Sequence, residues 1–161
     1  DLSTVASNKS LILSLLGIQD FNVEFEVTEL GVSTLQALAQ AAYRLHGLTA
    51  VTAVLDARMN EVYIASFQLN DQGIMQAVDE EQLLAYQQAA SITQFTLVGP
   101  GSALLKSDAL EFKDVVATAQ DIAQIARAAA LKAQWVKAEE ALPVYLRDNA
   151  WKKIPEQIKA T

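Results

Sequence analysis

Two apolar runs, Thr49–Leu55 and Val62–Phe67, flank the charged stretch Asp56-Ala57-Arg58-Met59-Asn60-Glu61. Both runs are rich in β-branched and aromatic residues, and a chain interrupted so briefly between such runs reverses as an antiparallel hairpin. The tip then holds an acid, Asp56, and a guanidinium, Arg58, in fixed proximity, with a second acid, Glu61, opening the return strand. A solvated turn with a surface ion pair is the competing reading. The expected role of Asp56, Arg58 and Glu61 is structural: they fix the turn that joins the strands.

The rest of the chain builds outward from this hairpin. Asn70-Asp71-Gln72-Gly73 is a turn signal before a third run, Ile74 to Val78, so the three runs read as an antiparallel meander. Upstream, Ser33-Thr34-Leu35-Gln36 has the spacing of a capping box, with Ser33 accepting from an orphan amide and Gln36 reaching back. The spacing predicts a helix from Thr34 to about His46, closed by Gly47, with Leu35, Leu38, Ala39, Ala42 and Leu45 on one apolar face. Downstream, Glu80 to Ala90 reads as helix, Phe95 to Val98 as a short buried strand, and Gly99-Pro100-Gly101-Ser102 as a sharp turn. Thr118 is placed to cap a helix reaching about Lys137, with Ile122, Ile125, Ala126, Ala129 and Ala130 buried. From Leu142, Pro143 and Pro155 bracket a segment without helical phase, expected to lie extended over the body. Near the start, Asn8 to Leu16 suits a short helix and Asn22 to Val27 a strand, with nothing to fix their place.

Composition narrows the chemistry. With 161 residues, 52% of them hydrophobic, the chain can bury one substantial core. It has no cysteine, which removes disulfides and thiolate metal sites and suits a reducing cytoplasm. No run approaches the roughly 18 apolar residues of a membrane span, so no membrane partner is expected. A formal charge of −7 argues against binding nucleic acid unaided, because phosphate contacts need clustered Lys and Arg.

His46, the one histidine of the sequence, is expected to sit in the last helical turn, where a positive charge suits the dipole. A single histidine without cysteine cannot build the usual zinc site, and H-E-x-x-H and G-x-S-x-G are both absent. The Gly99–Ser102 turn could cradle a phosphate, but no Walker pattern follows and a plain turn is the simpler reading. Asp56 and Glu61 make a poor cage for magnesium. No metal or other cofactor is implied. Tyr145, Arg147, Trp151, Lys152 and Lys153 form a basic and aromatic cluster suited to a partner groove, to stacking on nucleic acid, or to packing on the chain's own body.

Taken together, four pieces resemble the TsaB (YeaZ) family. They are Gly31-Val32-Ser33-Thr34-Leu35, Leu55 to Tyr63, Val98-Gly99-Pro100-Gly101, and Pro143-Val144-Tyr145-Leu146-Arg147-Asp148 with Trp151-Lys152-Lys153. Their order and approximate spacing agree with the family from about Leu30 to Pro155. The resemblance implies an actin-like, ribonuclease-H-like α/β fold with a mixed sheet and flanking helices. By the same resemblance, residues 1–29 are a remnant of the first lobe, residues 30–141 the second lobe, and residues 142–161 an extended tail. The Gly-rich Ser-Phe-Thr-Gly-x-Arg segment that relatives carry upstream is missing, so the first 29 residues read as pieces joined across a gap.

For function, the resemblance implies a subunit without catalytic power. It binds TsaD, the transferase that makes threonylcarbamoyladenosine in tRNA, with the ATPase TsaE joining and tRNA held through the complex. Homodimers in isolation are also implied. Ser33, Asp56, Arg58 and Glu61 are then motif residues, and Tyr145, Arg147 and Trp151 candidates for partner contact. The rival class is an enzyme, an actin-like nucleotide hydrolase or a glycopeptidase, which rests on fold relationship rather than on any residue.

Overall fold

In a computed structural model that describes residues 28–106, 111–142 and 146–147, the elements follow the hydrophobic patterning closely. They are β1 (Thr28–Glu29), α1 (Thr34–His46), β2 (Ala50–Arg58), β3 (Glu61–Leu69), β4 (Met75–Ala77) and β5 (Gln82–Ala85), then α2 (Tyr86–Ile92), β6 (Thr96–Val98), α3 (Ser102–Leu105), α4 (Ala119–Leu131) and β7 (Val136–Lys137). A 3₁₀ turn spans Ala138–Glu140. The readings at Asn8–Leu16 and Asn22–Val27 lie outside the described residues.

The hairpin is the centre of a mixed sheet. β2 and β3 pair antiparallel from Ala50↔Gln68 to Arg58↔Glu61, β6 lies parallel to β2, and β4 and β5 share the other edge of β3. Because strand residues alternate between faces, this hairpin feeds two cores. Val51, Ala53, Ala65 and Phe67 pack with Leu35, Leu38, Ala39 and Ala42 of α1. On the opposite face Val54, Val62 and Ile64 pack with Ala89 of α2 and Leu105 of α3. Truncating a fully buried side chain such as Leu38 would cost about 2–5 kcal/mol, since transfer energy and cavity add. The glycine turn after β6 is required sterically. A Cβ at Gly99, whose φ is +95°, would strike the Leu38 side chain and lie 2.9 Å from the Val54 carbonyl oxygen.

Helix α1 keeps its expected bounds, with Ser33 Oγ accepting from the Leu35 and Gln36 amides and Gly47 closing it at φ +69°. Two details differ. The Gln36 side chain donates to the Met75 carbonyl 2.9 Å away rather than reaching back to Ser33, because β4 passes within its range. Leu45 is exposed, while Ala37, Gln40 and Ala41 are buried, because α4 packs on the outer side of α1 and gives the helix two buried faces.

Two further expectations are corrected. Glu80 to Ala90 is not one helix: Leu83 and Leu84 pair with Tyr63 and Val62, so β5 completes an open sheet edge and the helix starts at Tyr86. Pairing with a long neighbour outweighs the modest helix preference of this stretch. The last helix stops at Leu131, not Lys137. Ala133 turns left-handed at φ 54°, and Val136–Lys137 leave to pair with Thr28–Glu29. Its buried side is Asp121 and Ile125, with Ile122 exposed.

Candidate functional site

At the hairpin tip, Met59-Asn60 form a two-residue loop between the paired residues Arg58 and Glu61. Their φ angles are 56° and 62°, the positive pair that a tight hairpin turn matched to strand twist demands. A register shift between Asp56 and Arg58 marks a bulge, and Arg58 is left-handed too, at φ 65°. Asp56 Oδ1 accepts the Arg58 amide at 2.8 Å, holding that bulge. The Asp56–Arg58 ion pair expected from the sequence exists at 3.1 Å, but the Arg58 side chain is 86% exposed, so water and salt screen it.

The stronger contact at the tip comes from a residue 90 positions beyond Ala57. Arg147 Nη2 donates to the Ala57 carbonyl at 3.0 Å and pairs with Glu61 Oε2 at 2.6 Å, while Nη1 lies 3.2 Å from Met59 Sδ. Arg147 and Glu61 side chains are 21% and 32% exposed. One planar guanidinium therefore spans the end of β2 and the start of β3, which an ammonium could not do with the same fork. Asp56, Arg58, Glu61 and Arg147 thus form one cluster. Ser33 belongs to another place: it caps α1 and donates to the Glu81 carboxylate. Tyr145 and Trp151 lie outside the described residues.

A second ion pair was not anticipated. Asp121 is fully buried and accepts from Arg44 Nε at 2.7 Å, Arg44 Nη2 at 2.9 Å, and both the amide and hydroxyl of Thr118 at 2.9 Å. Burial pushes its carboxyl up, but the hydrogen bonds from Arg44 and Thr118 and the Arg44 charge outweigh this and hold it below the usual carboxylate range. The Asp121 hydrogen bond raises the Arg44 pKa in turn. Thr118-x-x-Asp121 was the available signal, since that spacing is a capping box.

Other candidate chemistry is absorbed by structure. The amides of Gly99, Gly101 and Ser102 donate to the carbonyls of Phe112, Val54 and Gly99 at 2.9, 3.0 and 3.0 Å, so the glycine turn has spent the donors a phosphate would need. His46 meets the Phe112 ring edge-on at 5.0 Å. Among the described residues no three His, Cys, Asp or Glu side chains gather to hold a metal ion. An open groove of about 330 Å³ lies between the β3–β4 turn and α4, lined by Gln72, Ile74, Gln124, Arg127, Ala128 and Leu131. No helix among the described residues is long and apolar enough to cross a membrane.

No protein-family model matches the sequence. Individual relatives do. The chain is 36% identical over 143 residues to the tRNA threonylcarbamoyladenosine biosynthesis protein TsaB of Escherichia coli (strain K12), a match covering 81% of this chain and 62% of that protein. The chain belongs to the TsaB/YeaZ family. The TsaB of Haemophilus influenzae (strain ATCC 51907 / DSM 11121 / KW20 / Rd) is 33% identical over 143 residues, covering 77% of this chain and 59% of the relative. In three dimensions, YeaZ from Pseudomonas aeruginosa superposes with a TM-score of 0.64 at 33% identity, over 73% of this chain and 60% of that one. A second Pseudomonas aeruginosa structure, of a protein with similarity to peptidase YeaZ, gives 0.62 at 33% identity, over 72% and 57%. The mixed sheet with helices on both faces is the actin-like α/β lobe of these YeaZ structures. The chain spans about three fifths of the length of the curated TsaB relatives it matches.

Proposed function

We propose that this protein is a non-catalytic partner subunit that binds and activates a TsaD-type transferase in the complex making threonylcarbamoyladenosine in tRNA. The 36% identity to a TsaB named for that biosynthesis carries the reading. The charge of −7 supports it, since a chain so acidic holds tRNA poorly by itself and engages it through the assembly. On this reading a TsaE-type ATPase joins, the isolated protein self-associates, and the complex works in the cytoplasm. Residues 30–141 supply the second actin-like lobe, residues 1–29 belong to the first, and 142–161 form the tail. Asp56, Arg58 and Glu61 shape the hairpin, Ser33 caps α1, and Tyr145, Arg147 and Trp151 lie in the segment offered to partners.

The mechanism is a population shift. Contacts made only with the competent transferase state lower its free energy, and a tenfold stimulation requires about 1.4 kcal/mol of such differential binding. In a reconstitution with the TsaD-type subunit, the ATPase, tRNA and the threonylcarbamoyl donor, adding this protein should raise modified nucleoside at least about tenfold. Equal yields with and without it would defeat the proposal. Titrating the isolated protein with ATP and magnesium should give no binding heat, whereas tight binding would favour the actin-like nucleotide hydrolase.

A further inference from the structure

The chain carries two sulfur atoms, both in methionine, and the fold treats them oppositely. Met75 is fully buried, packed in one core with Leu38 and Phe67, and its amide donates to Gln40 Oε1 at 2.8 Å. Met59 stands at the hairpin tip, 79% exposed, on backbone turned left-handed at φ 56°. Oxidation of a thioether requires a sulfur lone pair to meet the oxidant, so access selects the site. With no cysteine to react first, Met59 is the sulfur that a peroxide reaches. What sets it apart from any exposed methionine is the guanidinium beside it. Arg147 Nη2 is held by the Ala57 carbonyl at 3.0 Å and by Glu61 Oε2 at 2.6 Å, and the planar fork carries Nη1 to 3.2 Å from Met59 Sδ.

We propose that Met59 is a modification site for hydroperoxides, and that its sulfoxide oxygen becomes the acceptor for Arg147 Nη1. A sulfur lone pair attacks one oxygen of hydrogen peroxide, and an S–O bond forms as the O–O bond breaks. The departing hydroxide takes the proton left on the transferred oxygen and leaves as water. Sulfur loses two electrons and the peroxide gains them, and a thiol-dependent sulfoxide reductase reverses the change. The consequence is set by the acceptor. A thioether sulfur accepts weakly, whereas a sulfoxide oxygen is polar and accepts well, and a charged donor makes such a bond roughly twice as strong as a neutral one. The unbranched methionine side chain has the torsional freedom to turn that oxygen onto Nη1. Oxidation usually disrupts a methionine contact by making it polar. Here the new polarity meets a donor already in place, so the tip is fastened while its exposed surface changes from apolar to polar. The chemistry is independent of the role proposed for the whole protein.

The test exposes the whole folded chain to hydrogen peroxide and follows both methionines by peptide mass spectrometry. Met59 should form sulfoxide at least about tenfold faster than Met75. Equal rates, or faster oxidation of Met75, would overturn the assignment of the site. Hydrogen exchange of the peptide covering residues 56–63, before and after oxidation, reads the contact. Oxidation should slow that exchange about threefold in the wild type. It should change exchange by less than about 1.5-fold in Arg147→Ala, which lacks the donor, and in Met59→Leu, which lacks the sulfur. Arg147→Lys keeps a charged donor without the fork and should recover part of the slowing. Unchanged or faster exchange in the oxidised wild type, or equal slowing in Arg147→Ala, would sink the contact. Equal slowing in Met59→Leu would trace the effect to another group and defeat the proposal.

Discussion

Among the described residues, two arginine–carboxylate pairs tie distant parts of this chain together, and they are built to opposite specifications. Arg44–Asp121 joins α1 to α4 with the carboxylate fully buried and hydrogen-bonded by Arg44 and Thr118. Arg147–Glu61 joins the C-terminal segment to the hairpin tip with both partners partly in water. The first cannot open without leaving a charge in the core, so it acts as a permanent rivet. The second stands partly in water, so screening limits its contribution, and it lies over three successive residues with positive φ. Similar chemistry is sealed from water in one place and open to it in the other, and burial decides how much each pair contributes.

The contrast can be broken by experiment. The largest effect should follow Asp121→Ala, which leaves Arg44 unpaired beside the α1–α4 seam and should lower Tm by about 10 °C in thermal unfolding. Next comes acid. The Asp121 carboxyl lies below its ordinary value in the folded state, so its stabilisation is complete above the unfolded value of 3.8 and fades as pH falls through the lower folded value. Asp121→Asn should therefore flatten the acid limb of stability against pH below about 4, and an unchanged limb would remove the rivet from the account. Arg147→Ala should cost only about 0.5–1 kcal/mol in denaturant unfolding, and raising salt to about 0.5 M should shrink that difference. A loss as large as that of Asp121→Ala would erase the distinction between the two pairs. Smallest is Arg58→Ala, expected within about 0.5 kcal/mol of wild type, since its ion pair is exposed.

Much of the fold was legible because it is local. The β-rich runs Val51–Leu55 and Val62–Phe67, the Ser33 cap, Gly47 at the end of α1 and the Asn70–Gly73 turn each act within a few residues, and each reappears in place. The misreadings arise where a neighbour remote in sequence intervenes. Leu83 and Leu84 become a strand because β3 offers an unpaired edge. Ile122 is exposed and Asp121 buried because α1 presents Arg44 at that point and turns α4 by about one residue's phase. At the candidate site, Asp56, Arg58 and Glu61 were visible as a charged tip. That Glu61 belongs to Arg147 more than to Arg58 was not, since the two lie 86 positions apart and nothing local encodes their meeting.

By itself the sequence determined the hairpin, its flanking helix and the family whose motifs it carries, because those follow from periodicity, capping and residue type over short spans. Only the tertiary structure decided which acid each arginine serves, which helix face is buried and which amides are spent, because those depend on the distances and water access that packing alone sets.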